Sequence, residues 1–394
     1  AEGLDQTRGW FYTLAVLGTV LFDKIPFKHV IVNGMVLAED GKKMSKRLKN
    51  YPDPDRVLST YGADALRLFM MQSPAVRAEE MRFSEAGVKD LVRRVLLKWW
   101  NAYSFFVSYA VIDKYVPTCE KNVKTSARRQ VDTNILDAWI ISRLQSLLKT
   151  TEDEMARYHL YNVVPALLDF IEDLTNIYIR LNRKRFWGEK KTDDKDAAYE
   201  TLYTVLFMMT EVMAPFAPFL SETMYQNLKS DDCTSVHLRN FPVATEALIN
   251  ADLEKSVEIM KRVILMARNV RDQHNVKVKI PLKRLTIIHR NEAHLNRLKV
   301  LETYLKEELN VRTIVYQTDE EDFVSLTARA NGAALGRRLG KKFAAVNVAI
   351  TALKHEQIAE LEGGEALMIE GETITQSDLI IYRNAKEGHP NVVS

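Results

Sequence analysis

Cysteine is nearly absent: the 394 residues hold two, Cys119 and Cys233, far apart in the chain. Two such thiols argue against a disulfide framework and against a cysteine-based zinc site, and their scarcity fits a reducing compartment. No apolar run approaches the ~20 residues that cross a bilayer. The first residues, AEGLDQTRGW, are polar and lack the apolar core of a secretion signal. An initiator methionine is also lacking, and the expectation is a cut made inside a larger protein. Charge of one sign is missing too, since 55 Lys and Arg against 52 Asp and Glu leave a net +3. A balanced total leaves nucleic-acid binding open, because basic residues can gather on one face. They do cluster, at 42–49, 180–185 and 337–342, where a solvated surface is the default reading.

Against these absences, 46% of the residues are apolar, which is globular material. The length is too great for one ordinary core and suggests two to four domains. Residues 13–22 read as a buried helix and 28–38 as strand, Asn-Gly turn, strand. Asp40-Gly41 is a second turn signal. A basic loop without apolar period follows, closed by Pro52 and Pro54. From Asp55 to about Val116 the pattern is helical, with Asp64 able to cap ADALRLFMM and Pro74 ending it. Trp99 and Trp100 read as core, and the polar stretch 117–131 as a linker. Between 132 and 229 three apolar stripes recur at helical spacing: Leu136, Ile140, Leu144, Leu147, Leu148; Leu167, Ile171, Leu174, Tyr178, Leu181; and Leu202, Leu206, Met209, Met213. Short connections between them imply a bundle, with Pro215 and Pro218 at a helix start. The remainder alternates: a helix at about 253–274, strand 283–289, helix 292–309, strand 311–317, a basic helix at about 332–354, and two short strands in EALMIEG and DLIIYRN. No internal repeat is visible.

The run KMSKR, 43–47, is similar to the second signature of class I aminoacyl-tRNA synthetases, and its final Arg47 resembles the eukaryotic-type isoleucine branch. EGLDQTRGWFYTL (2–14) lies upstream at the spacing that branch shows. YGADALRLFMMQSP (61–74), YIRLNRKRFWGEK (178–190) and MAPFAPFLSETMY (213–225) resemble its later segments in the same order. The last 140 or so residues resemble the branch's junction module less sharply. The resemblance implies a multidomain chain: the end of a Rossmann-type α/β catalytic domain over 1–54, a stem-contact helical region and linker over 55–131, a mostly α-helical anticodon-binding bundle over 132–250, and a small α+β C-terminal module over 251–394.

It also implies a chemistry. Isoleucine's carboxylate attacks the α-phosphorus of ATP, carried as its Mg2+ complex, and pyrophosphate leaves. Negative charge grows on phosphate oxygens, where aimed cations give the largest catalytic gain. By resemblance Lys46 contacts the phosphates, Lys43 assists, and Met44 packs near the adenine. A unit charge ~4 Å from a phosphate oxygen is worth roughly 4 kcal/mol at an effective dielectric of 20. Gly34 and Ser45 join the expected nucleotide contacts. Glu2 would accept from the substrate ammonium and Asp5 from a ribose hydroxyl; Gly3 and Gln6 complete that set, and Trp10 would wall the aliphatic pocket. The plain alternatives are frayed acidic residues for Glu2 and Asp5, and core for Trp10.

Arg180, Arg183, Lys184 and Trp187 follow i, i+3, i+4, i+7 and share one helix face. Such a stripe suits phosphate contacts with stacking on an unpaired base, or it is a solvated face. Arg337, Arg338, Lys341 and Lys342 form a similar patch. The expected partners are tRNA(Ile), isoleucine, ATP and other synthetases of a multi-enzyme complex, in the cytoplasm and away from membranes, with no metal site. The first class I signature, HIGH, has no counterpart, and neither the first half of the nucleotide fold nor an editing domain is matched. The competing reading is a non-catalytic tRNA-binding or assembly module.

Overall fold

A computed structural model describes residues 1–117, 134–188, 192–230, 232–320 and 323–386. Nearly all of the stretch read as a linker, Cys119 included, lies outside the described residues. The chain divides into two compact units, Ala1–Ala251 and Asp252–Ser394.

The first unit opens with β1 (Glu2–Gly3) and helix α1 (Trp10–Phe22). Asp23 ends the helix in the left-handed region, its N–H returned to Thr19 O. The expectation of a buried helix fails. Only Gly18 is buried in α1, while Val20 is 75% and Phe22 73% exposed. Among the described residues nothing covers that apolar face. The Asn-Gly hairpin fails as well. β2 (Val32–Asn33) pairs in parallel with β1, and β3 (Val36–Leu37) in parallel with β4 (Met81–Arg82). Gly34 does not turn a hairpin. Its N–H donates to Ala75 O at 2.8 Å, and a side chain there would strike the Glu79 backbone.

Helices α2 (Pro54–Tyr61) and α3 (Ala63–Met71) follow, the first capped by Asp53, whose side chain accepts from Asp55 N. Gly62 sits at the α3 N-cap without a side-chain bond, so Asp64 does not cap its own helix. Val57, Ala65 and Val88 form the small core beneath them. The long helix expected next is α4 (Glu85–Leu91) and α5 (Leu97–Ile112), joined by a π-helical turn at Val92–Leu96. Trp99 is fully buried, and Trp100 is half-buried against Tyr103.

The bundle consists of α6 (Ile135–Ala156), α7 (Leu160–Glu172), a π-helical turn (Asp173–Ile179) running into α8 (Arg180–Trp187), α9 (Asp193–Met213) and α10 (Pro218–Leu228). All the stripe residues named above are buried except Leu181, which is half-buried. Each fully buried Leu or Ile contributes about 1.5–3 kcal/mol, so these stripes dominate the packing.

The second unit begins with α11 (Ala251–Gln273), whose first residue closes the first unit. β5 (Leu282–Ile288) and β6 (Val311–Gln317) pair in parallel. Their crossover is two helices, α12 (Glu292–Lys299) and α13 (Glu302–Leu309), where one was expected. β7 (Val324–Ala330), unforeseen, pairs antiparallel with β10 (Leu379–Ala385). The expected basic helix is α14 (Gly332–Leu339) and α15 (Phe343–Thr351), broken where Gly340 takes φ +49°. Helix α16 (His355–Glu362) precedes the hairpin of β8 (Leu367–Ile369) and β9 (Glu372–Ile374). Glu370 and Gly371, both at positive φ, make its tight turn. Leu326, Leu335, Val346, Ile350, Ile358 and Ile374 form the core. Arg290 and Arg383 each pair with both Glu320 and Glu362, closing a ring of four charges.

Candidate nucleotide loop and nucleic-acid interface

The basic loop grows out of the end of β3. Leu37 and Lys43 bridge antiparallel. Ala38 N donates to Lys42 O at 2.8 Å and Gly41 N to Ala38 O at 2.9 Å. Gly41 takes φ +79°, with the Arg82 guanidinium against the place a side chain would fill. Lys42 N donates to Asp40 Oδ1 at 3.0 Å, which holds the Asp40 carboxyl below its ordinary value. Asn50 ties the loop from its far end, accepting from Ser45 N at 2.9 Å and donating to Lys43 O at 3.2 Å. With these backbone groups paired internally, Lys43, Lys46 and Arg47 extend into solvent while Met44 and Ser45 are half-buried. Three cations on a tied loop raise the local potential for an anion. Asn50 escaped the sequence reading, although an Asn at a loop end is a recognised turn-former.

The other expected nucleotide contacts attach to the same stretch of chain. Glu2 N donates to Ile31 O at 3.0 Å, and β1 lies beside β2, two residues before β3. Glu2 and Asp5 are exposed. Gln6 is already engaged, its Oε1 accepting from Trp10 N at 2.9 Å at the start of α1. The space beside Gly3 is taken by the Asp5 carboxylate, so its missing side chain serves the local turn; Gly34 likewise serves packing on Glu79. Trp10 is 54% exposed, which removes the core reading.

On α8, Arg180, Arg183, Lys184 and Trp187 are all exposed, and Trp187, at 54%, is no core residue. The opposite side carries the anchors. Asn182 and Phe186 are buried, with Phe186 edge-on to Phe105. Arg185, the last cation of the basic run, turns inward. Its two terminal nitrogens each donate to the fully buried Asp137 carboxylate at 2.8 Å, and Tyr178 Oη donates there at 2.7 Å. Burial pushes the Asp137 carboxyl up against the pull of Arg185. Stranding one partner of such a pair costs about 3–5 kcal/mol, so Arg185 is committed to the fold. Lys195, also buried, donates to Gly188 O at 2.6 Å and pairs with Asp113, fixing the end of α8.

The second basic patch does not form one stripe. Gly340 breaks the helix between its halves, Arg338 bonds Asp378 Oδ2 and Thr373 O, and Lys342 pairs with Glu372 at 2.9 Å. Arg337 and Lys341 remain exposed. Among the described residues no group of three or more His, Cys, Asp or Glu is placed to hold a metal, and no helix is long and apolar enough to cross a membrane.

A lysine-rich loop on parallel strands, followed by a helical bundle with an outward basic face, agrees with two family profiles. Residues 1–82 match "tRNA synthetases class I (I, L, M and V)" and 137–287 match "Anticodon-binding domain of tRNA ligase". The chain belongs to the class I aminoacyl-tRNA synthetase family. Within it the relatives are isoleucine–tRNA ligases. That of Bdellovibrio bacteriovorus is 52% identical over 100% of this chain and 37% of its own length. The cytoplasmic enzyme of Schizosaccharomyces pombe is 43% identical over 98% of this chain and 37% of itself, and that of Mus musculus 44% over 96% and 31%. The chain thus spans about a third of the length of these relatives. A solved LeuRS–tRNA–LeuAMS ternary complex from Agrobacterium radiobacter has TM-score 0.46 and 18% identity over 64% of this chain and 29% of that one, a distant likeness.

Proposed function

We propose that this chain is the C-terminal portion of a cytoplasmic isoleucyl-tRNA synthetase. In that enzyme loop 43–47 serves isoleucyl-adenylate formation from isoleucine and Mg2+-ATP, and the bundle holds tRNA(Ile). The observation that carries this reading is the tied KMSKR loop, whose ammonium groups are left in solvent with no carboxylate drawn onto Lys43 or Lys46 by the bonds described. In the reaction the carboxylate oxygen of isoleucine bonds to the α-phosphorus as the bond to pyrophosphate breaks. Lys46, with Lys43 beside it, meets the charge that grows on the phosphate oxygens. Glu2 and Asp5 offer exposed carboxylates to the ammonium and ribose of the adenylate. The division into catalytic, stem-contact, anticodon-binding and junction regions at 54, 131 and 250, and an association with other synthetases, belong to the same reading.

Lys46→Ala in the parent enzyme tests it. Adenylate formation, followed by isoleucine-dependent pyrophosphate exchange, is expected to slow by about 10²–10³ with isoleucine binding little changed. Exchange within about threefold of wild type removes Lys46 from this role.

A further inference from the structure

Helix α10 begins poorly on its own. Its N-cap position is Ala217, which has no side-chain acceptor, and Pro218 at the first helical position has no N–H. The next N–H groups, of Phe219 and Leu220, need an acceptor from elsewhere. Asp64 supplies it from α3. Its buried carboxylate accepts from Phe219 N at 3.3 Å and from Leu220 N at 2.8 Å. One turn further along α3, Arg67 takes the opposite polarity of the same turn, donating Nη2 to Pro215 O at 2.7 Å and Nε to Phe216 O at 3.4 Å. A carboxylate on the N–H groups and a guanidinium on the carbonyls make a two-point, charge-assisted grip.

What lies at each end of this grip gives it a use. On one side, α3 follows the KMSKR loop through α2, and after α3 the chain returns to the loop's own strand, with Phe83 N donating to Leu37 O at 2.8 Å. On the other side, the gripped turn ends α9, the helix whose first turn carries the Asp194 and Lys195 contacts that hold α8. Asp64 and Arg67 therefore join the support of the loop to the support of the outward basic face.

We infer that Asp64 and Arg67 are positioning residues for the transfer of the amino acid to RNA, an inference that rests on the function proposed above. One long RNA must meet α8 and the nucleotide loop together, so the span between them has to be fixed. In the transfer step a ribose hydroxyl at the RNA end attacks the aminoacyl carbonyl carbon. A C–O ester bond forms, the C–O bond to the phosphate breaks, AMP leaves with the electron pair, and the hydroxyl proton passes to solvent. Adenylate formation involves no RNA and does not need this span. A misplacement of about 1 Å can cost on the order of 10² in rate, and the transfer step alone should carry that loss.

The test uses the parent enzyme with Arg67→Ala, Arg67→Lys and Asp64→Asn. Pyrophosphate exchange and tRNA affinity by filter binding are expected within about threefold of wild type. Single-turnover transfer from preformed adenylate should fall by about 10–10² in Arg67→Ala and Asp64→Asn. Arg67→Lys, which keeps a donor for Pro215 O, should recover part of that loss. Thermal melts report whether a variant folds; if Arg67→Ala does not, Arg67→Lys and Asp64→Asn carry the comparison. Normal transfer in both Arg67→Ala and Asp64→Asn, or exchange falling in parallel with transfer, overturns the inference while leaving the proposed function intact. A wild-type enzyme that shows no exchange overturns the proposed function and this inference with it.

Discussion

Arg183 and Arg185 stand two positions apart on α8, and their side chains go opposite ways. The Arg185 guanidinium is held by Asp137 and Asp194, whereas Arg183 extends into solvent beside Trp187. RNA binding through α8 should therefore depend on Arg183 and Trp187 and not on Arg185. Arg183→Ala is expected to weaken binding of this chain to isoleucine tRNA. It should also flatten the log–log salt slope by about 0.7–0.9, since one phosphate contact and its counterion are lost. Trp187→Ala should weaken binding by about 1–3 kcal/mol with the slope nearly unchanged, because stacking releases no counterion. Filter binding at several salt concentrations, with thermal melts of both variants, checks this. Unchanged affinity in both would leave α8 a solvated face. The i, i+3, i+4, i+7 spacing is enough to find this stripe in the sequence. The inward turn of Arg185 is not legible there, because its partner Asp137 lies 48 residues away.

At the scale of elements, what depends on local period was readable and what depends on a distant partner was not. The bundle helices follow their apolar stripes, and β6 falls on the residues expected for it. The exposure of the apolar α1 is set by the lack of a covering stretch among the described residues, and the pairing of β2 and β3 and the acceptor at the start of α10 by residues distant in the chain. β7 alternates apolar Val324, Leu326, Ala328 and Ala330 with polar Ser325, Thr327 and Arg329, a period of two that is present in the sequence and weakened only by the small size of the two alanines. After the break at Gly340, Arg338 still ties α14 to the turn before β10, bonding Asp378 at 3.0 Å. Burial raises the Asp378 carboxyl, but the Thr375 N–H and Arg338 outweigh it and hold its pKa below the ordinary 3.8. A carboxyl lowered on folding stabilises above its unfolded value, and that contribution is lost as pH falls through the folded value. The melting temperature should therefore drop below about pH 3.8. Asp378→Asn should lower it at neutral pH and reduce that acid-dependent drop; an acid profile identical to wild type would show that Asp378 contributes nothing to it.

At the scale of the whole molecule, the proposed function gives the chain an adenylate-forming loop at 43–47 and an RNA-facing bundle, without a His-x-Gly-His run. The purified 394-residue chain is expected to bind tRNA without activating isoleucine. Isoleucine-dependent pyrophosphate exchange well above background from this chain alone would refute that.

The grip of Asp64 on α10 also bears on how the chain folds. Its two partners are separated from it by 155 and 156 residues, so the contact closes a very long loop. Loop closure grows costlier with length only slowly, by about 0.6 kcal/mol per doubling, but such contacts form late when the bundle's local helices form first. A contact made after the transition state acts on the rate of unfolding and hardly on the rate of folding. Asp64→Asn is therefore expected to speed unfolding while leaving the refolding rate nearly unchanged; a refolding rate that falls in step with stability would place the contact in the transition state instead.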